Sequence, residues 1–389
     1  MTRVELEGIT EGRIDATANR TLLRENGEEN GRFERVGRLP NPAARTERLW
    51  HELLSTEPWK PLLERVVGGF SAGNVWRVSE RALIATTGRW LLASRDGGRT
   101  WSVRRTLPES SGPKGVLPTG VCHHAGAVYL GEYPLDHATV PKLLRSRDEG
   151  WTWEVVRDFP GVRHLHSVQS DPYTDELWIT TGDRDEGCWI GRLREGAFEV
   201  VGGGSQRWRA VELAFSPDAV LWGMDSVYSP ENHVLKLDRT ELDRPEPIPE
   251  TVHVLDGSVF YAASLDVGGE RWVVLSTSVE PGTDSTAPPG SPEHDATGRA
   301  RVVAASSGSE FTVWHELAAY RRRRNLGEFW NPKGLLPRSS AYVHLAADPE
   351  RGVVLNPYNT ARQDGSLIVI PPSRFAALSD SALESVLGE

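Results

Sequence analysis

The sequence predicts an all-β fold, a six-bladed β-propeller with seven blades as the alternative count. The octet Ser94-Arg95-Asp96-Gly97-Gly98-Arg99-Thr100-Trp101 recurs as Ser146-Arg147-Asp148-Glu149-Gly150-Trp151-Thr152-Trp153. The interval, about 50 residues, is the length of one four-stranded blade. An apolar run precedes each copy (Leu91–Ala93; Leu143–Leu144), and a β-rich run from Trp101 or Trp153 follows it, closing on Leu107-Pro108 or Phe159-Pro160. The 14 Trp, 38 Gly and 26 Pro among 389 residues suit short strands joined by many turns.

Each octet reads as a hairpin turn. Its Ser and Asp side chains bond the turn's own backbone, Gly supplies the positive φ, and the last Trp packs back beneath the turn. The pattern S-x-D-x-G-x-T-W resembles the Asp-box, or BNR repeat, of sialidases and related β-propellers. A weaker third copy is expected at Asp183-Arg184-Asp185-Glu186-Gly187-Cys188-Trp189. The resemblance is specific over residues 70–200 and implies a propeller. In that family the box lies on the rim, so Asp96, Trp101, Asp148 and Trp153 are structural.

Taken in order, residues 20–38 read as two strands round a polar turn, the outer hairpin of a last blade completed by 340–371. Residues 44–66 change to helical spacing through Leu49, Trp50, Leu53 and Leu54, then Leu62 and Leu63, interrupted by Pro58 and Pro61. They are expected to form a short helical insertion. Blades are expected at 70–110, 115–161, 162–204, 205–252 and 253–320. Residues 281–298, rich in Pro, Gly, Ser, Thr and Asp, read as a long flexible loop within the fifth of these. If the N-terminal strands and the C-terminus do not share a blade, the count rises to seven. The whole chain, 1–389, is read as one propeller domain.

A formal charge of −10, with both signs mixed along the chain, argues against nucleic acid as a partner. No window approaches a membrane span, and the first residues carry no signal-like apolar core, which favours a cytoplasmic location. Cys122 and Cys188 fall on different blades and outside any CxxC, and are read as two buried free thiols.

In a propeller, ligands bind where the innermost strands and the loops of one face converge. The densest candidate is Arg163-His164-Leu165-His166. The two histidines are two apart and so share one side of a strand. With a third ligand they would hold a metal; alternatively one acts as a base. Polar residues also end the second strand of successive blades: Glu132 and Tyr133, Asp183, Asp225 and Tyr228, Glu280, then Tyr358, with His344 on the strand before. Arg207, Arg209 and Glu212 open the blade at 205–252, where the arginines suit a ligand carboxylate. The catalytic candidates are His164, His166, Tyr133, Tyr228, Glu132 and Asp225. The binding candidates are Arg163, Arg207, Arg209, Glu212, Asp183, Glu280, His344 and Tyr358.

The sialidase likeness implies an acidic sugar, a clamp of arginines and a Tyr–Glu nucleophile pair. The chain lacks the Arg-Ile-Pro motif of sialidases; the corresponding stretch is Asn74-Val75-Trp76-Arg77-Val78. The histidines are similar in type to those of uronate-cleaving propeller lyases. The leading expectation is a carbohydrate-active enzyme, glycoside hydrolase or polysaccharide lyase, acting on an acidic glycan in a central funnel. A non-catalytic binding or scaffold propeller is the first alternative. The second is a metal-dependent lactonase-type hydrolase with Glu132, Asp183, Asp225 and Glu280 round a cation. The cofactor is left open, a divalent metal being one option. The expected partner is a carbohydrate or small acidic ligand.

Overall fold

A computed structural model describes residues 3–26, 31–42, 73–227, 229, 231–280, 298–324 and 340–387. Among them lie seven antiparallel sheets, each of consecutive strands paired in sequence order: blade 1 (5–38), blade 2 (74–106), blade 3 (121–158), blade 4 (164–203), blade 5 (213–255), blade 6 (259–321) and blade 7 (342–370). All have four strands except blade 7, which has three. The fold is an all-β propeller with seven blades. The chain packs as two compact units, one formed mainly by Thr2–Arg209 (blades 1–4), the other by Ala210–Arg323 and Ser340–Glu389 (blades 5–7). No helix among the described residues is long and apolar enough to cross a membrane.

The seventh sheet arises at the N-terminus. Strands Thr21–Glu25 and Phe33–Arg38 complete one sheet with Glu5–Thr10 and Arg13–Ala18, each paired with its neighbour in sequence, and not a sheet with the strands of 342–370. The expected shared blade is therefore corrected to two separate sheets. Strands Glu5–Thr10 and Arg13–Ala18 escape notice in the sequence because they place Glu5, Asp15 and Thr17 among buried positions, with only Leu6, Ile14 and Ala16 as apolar partners. Their carboxylates are satisfied by defined donors. Asp15 lies 2.7 Å from Arg77 Nε and 3.0 Å from Arg24 Nε. Glu7 accepts from Val75 N at 2.7 Å and from Thr17 Oγ1 at 2.6 Å.

The repeated octets form the same turn twice, between the third and fourth strands of blades 2 and 3. Ser94 Oγ accepts from Gly98 N at 2.9 Å, Asp96 accepts from Thr100 N at 2.9 Å, and Trp101 Nε1 donates to Gly98 O at 3.0 Å. In the second copy Ser146 accepts from Gly150 N at 2.7 Å, Asp148 from Thr152 N at 2.8 Å, and Trp153 donates to Gly150 O at 2.8 Å. Gly98 and Gly150 both have positive φ, and a Cβ on Gly150 would meet Ile84 Cγ2 at 2.2 Å. Glycine is required there for space as well as for φ.

The expected third copy is not such a turn. Asp183–Trp189 connects the second and third strands of blade 4 through the 3-10 turn Asp185–Gly187. A turn like the octets instead occurs at Ser307–Trp314, before the fourth strand of blade 6. There Trp314 Nε1 donates to Phe311 O at 2.7 Å and Val313 N donates to Ser309 Oγ at 3.4 Å, with Glu310 and Phe311 at positive φ. Ser309 and Phe311 replace the Asp and Gly, which hides the turn from pattern reading.

Each unit has its own apolar core. In blades 5 and 6 it runs through Leu221, Val234, Val273 and Leu275; in blades 3 and 4 through Leu143, Phe159, Leu165 and Ile179. The helix Pro372–Leu387, not anticipated, follows blade 7 and inserts Phe375 edge-on against Trp272, ring centroids 5.3 Å apart. The expected helices of 44–66 lie outside the described residues, as does 281–297 of the expected loop. Cys188 is buried, but Cys122 is only half-buried; both are thiols outside any disulfide among the described residues, and burial pushes the Cys122 thiol up to about 12.

Two carboxylates clip neighbouring blades by the same device. Glu7 reaches Val75 N on the first strand of blade 2, and Glu212, just before blade 5, accepts from Ala262 N on the first strand of blade 6 at 2.7 Å. Each side chain keeps some accessible surface, yet its carboxyl is enclosed by protein. Burial, only partly opposed by these hydrogen bonds, pushes both groups up to about 8.

The ordinary value of 4.5 lies below the folded one, so folding favours the neutral acid. Its stabilisation is full below pH 4.5 and is lost as pH rises through about 8. Glu212→Gln is therefore expected to gain stability over the natural chain progressively as pH climbs from 5 to 8, in urea midpoints read at each pH. A constant difference across that range would contradict the assignment. In the second octet, Ser146→Ala leaves the buried Gly150 N–H without its acceptor. It is expected to cost about 1–3 kcal/mol in denaturant unfolding.

Candidate functional site

The strand His164–Ser170 opens blade 4, and a bulge between Leu165 and Ser167 sets its pairing with Leu177–Gly182. His166 sits at that irregularity, and both imidazoles turn to one place, ring centroids 5.0 Å apart. Gly182 makes this possible. A Cβ there would lie 2.3 Å from His166 Cε1, so the ring occupies the space a side chain would fill.

Asp183, the next residue, is the hub. Its Oδ1 is 3.2 Å from His164 Nε2, 3.8 Å from His166 Nε2 and 3.1 Å from Arg209 NH2, while Oδ2 is paired with Arg163 NH1. Arg163 also donates from Nε and NH2 to Leu135 O, at 3.2 and 2.6 Å. Arg209, just after the 3-10 turn Gln206–Trp208, donates to Asp183 O at 3.2 Å, and Gln206 Nε2 donates to the same carbonyl at 3.0 Å. Tyr133, at the end of the second strand of blade 3, stacks on His164 with centroids 3.9 Å apart. Thr119 Oγ1 holds His166 O at 2.7 Å.

The electrostatics follow from burial. Both histidines are about 2 % exposed at the side chain and Asp183 12 %. Burial pushes His164 down to about 4, partly opposed by its contact with Asp183, so the ring is neutral near pH 7. Burial alone would raise Asp183. The hydrogen bonds from His164 and His166, with the charge of Arg209, outweigh it and hold the carboxyl well below its usual range. Two guanidiniums against one carboxylate leave the cluster with surplus positive charge. One donor atom each from His164, His166 and Asp183 lies within 4.8 Å of the others, a set able to hold a cation.

The structure thus unites six of the expected residues: Arg163, His164, His166, Asp183, Arg209 and Tyr133. Arg209, expected to bind a ligand carboxylate, is paired with Asp183. Glu132, though adjacent to Tyr133, accepts from Lys142 N at 3.2 Å and has Arg105 and Lys142 as its neighbouring charges; burial raises its pKa. It belongs to the frame of blade 3. Arg207 is half-buried within the 3-10 turn Gln206–Trp208 itself. Tyr228 lies outside the described residues. Asp225, Glu212, Glu280, His344 and Tyr358 belong to the other unit. Glu212 is bonded to Ala262 N as described. Glu132 and Asp183, half of the set expected to ring a cation, are thus committed to different partners.

In that unit His344 and Tyr358 join an aromatic cluster. His344 stacks on Tyr261 at 4.3 Å and Tyr358 on Tyr342 at 4.7 Å between centroids. Tyr261 and Tyr342 were not anticipated. The available signal was the spacing Tyr342-Val-His344, the same two-residue step as His164 and His166. Gly182 and Gln206 were also missed; a glycine closing a strand directly before an acidic residue was the one hint. A cleft of about 460 Å³ between blades 3 and 4 is lined by His124, Tyr129, Arg145 and Leu177 among others, none of them in the His164 cluster.

No known family profile matches the chain, and no curated protein matches it. Solved structures do. A chain of the Mitotic Checkpoint Complex aligns with TM-score 0.52 and 9% identity over 94% of this chain and 86% of that one. A puromycin-hydrolyzing peptidase of Mycobacterium tuberculosis gives 0.48 and 11% over 95%, this chain spanning 53% of its length. YCF48 bound to a D1 peptide gives 0.47 and 11%, over 92% of this chain and 91% of that one. At such identities the likeness shows the fold alone.

Gly182→Ala is expected to displace the His166 ring and cost roughly 1–3 kcal/mol, with the loss visible as a shifted His166 imidazole resonance. An unchanged resonance would mean the ring does not depend on that space.

Proposed function

We propose that the protein recognises an acidic glycan at the cluster of Arg163, His164, His166, Asp183 and Arg209, and acts on it by hydrolysis or elimination. The reading is carried by the charge count: two guanidiniums and two imidazoles surround one carboxylate in a mostly buried place, which an anionic substituent would complete. Arg163 keeps 24 % of its side-chain surface and is the group best exposed to a ligand. The octet turns, with their Asp-box pattern, support the sialidase-like propeller class as the setting. In the elimination form, the arginines neutralise a uronate carboxylate and so acidify the C5 hydrogen. A base, Tyr133, or His166 where no metal ion holds its ring, takes that proton, the C4–O bond breaks, and a second group protonates the departing oxygen.

A second reading, binding without turnover, draws on a different observation. Both nitrogens of His164 already face partners, and Asp183 accepts from several donors, as in a purely architectural network. One screen separates the two. Uronate- and sialate-containing glycans are followed at 235 nm for unsaturated ends, by reducing-end assay for hydrolysis, and by calorimetry for binding. Turnover is expected, falling about 10²–10⁴-fold in His166→Ala. Binding lost in Arg163→Ala, with silence in both product assays, would select the second reading. Neither binding nor product would remove both.

A further inference from the structure

His164 presents a donor–acceptor conflict. A neutral imidazole carries one N–H, yet Nδ1 is 3.3 Å from Pro134 O and Nε2 is 3.2 Å from Asp183 Oδ1, two oxygens that only accept. Nε2–H donated to Asp183 leaves the Nδ1 lone pair facing Pro134 O, and Nδ1–H donated to Pro134 leaves the Nε2 lone pair facing the carboxylate. A positive centre between them resolves this, and His166 aims a third donor atom at the same point.

We propose that His164, His166 and Asp183 bind a single divalent transition-metal ion. The geometry carries more than proximity. The bond from Nδ1 to a backbone carbonyl is the outer-shell arrangement that orients a ligating imidazole and frees Nε2 for the metal. The bulge at Leu165–Ser167 and the missing side chain of Gly182 place His166 beside His164 in the same fold of chain. Two imidazoles with one carboxylate suit zinc, iron(II), manganese or nickel better than calcium or magnesium, and three protein ligands leave a position for a water or ligand oxygen. Arg163 engages Oδ2, and Oδ1, which Arg209 NH2 meets at 3.1 Å, has a second lone pair for the ion, with Arg209 also anchored by the Asp183 carbonyl. The two guanidiniums weaken the hold on a dication and make an accompanying anion part of the site. In that last respect alone the inference rests on the proposed acidic ligand.

The test begins with protein purified without nickel affinity, dialysed against chelator, then titrated with Zn²⁺ and separately with Mn²⁺. Metal analysis and calorimetry are expected to give one ion per chain for at least one metal. His166→Ala and Asp183→Asn should abolish it, while His124→Ala, whose ring meets Ser170 Oγ at 2.9 Å elsewhere in the unit, should keep it. Should a variant fail to fold, imidazole resonances of the natural protein decide: the Nε2 signals of His164 and His166 must move on titration. No bound ion and unmoved signals would overturn the proposal, as would an ion retained by both folded variants. An acidic glycan bound equally well by chelated protein would break the link to the anion while leaving the proposed function standing.

Discussion

Asp183 shows the constraint on which the rest depends: a carboxylate taken out of water must be surrounded by donors, and the surrounding groups must then be held in place. Here that demand recruits residues from the first strand of blade 4 and from the connections on either side of that blade. Arg163 and Arg209 supply charge, the histidines supply ring nitrogens, and Gln206 and Arg209 hold the Asp183 carbonyl so that the hub cannot turn. Partial satisfaction of such a network would cost more than an apolar replacement. The network closes round the Asp183 carboxylate, while Gln206 Oε1 is buried with no hydrogen-bond partner among the described residues.

Glu7 and Glu212 meet the same constraint differently. Each accepts a backbone N–H from the first strand of the next blade. A hydrogen bond to a backbone amide offsets only part of the desolvation, so these groups hold their protons where Asp183 gives its proton up. One chain therefore keeps two kinds of buried acid. The neutral kind joins sheets; the ionised kind organises the candidate site. The difference lies in what surrounds each carboxyl, not in residue type.

The three octet-like turns show how far local chemistry reaches. Ser, Asp, Gly and Trp at fixed offsets close a hairpin through bonds within eight residues, so the turns at 94–101 and 146–153 are legible from the sequence. The turn at 307–314 makes the corresponding Trp-to-carbonyl bond with Phe311 in the glycine position and Ser309 in place of Asp. Neighbouring structure imposes that conformation where local preference would not. The reverse holds at Asp183–Trp189, where a similar string of residues forms a different connection because its acidic residue is drawn into the cluster.

Local patterning in the sequence was enough for the β class, the boundaries of the central blades and the role of the octets, since strand alternation and turn chemistry act over a few residues. It also marked His164 and His166, because a two-residue step on a strand fixes a shared side. The blade number was beyond it: the first two strands hide their burial behind Glu5, Glu7 and Asp15, whose partners Arg77 and Val75 lie some 60 residues away. The role of Arg209 and the gap left by Gly182 were likewise decided only by tertiary structure. Which donor meets which buried acceptor depends on contacts distant in sequence, and no local preference encodes them.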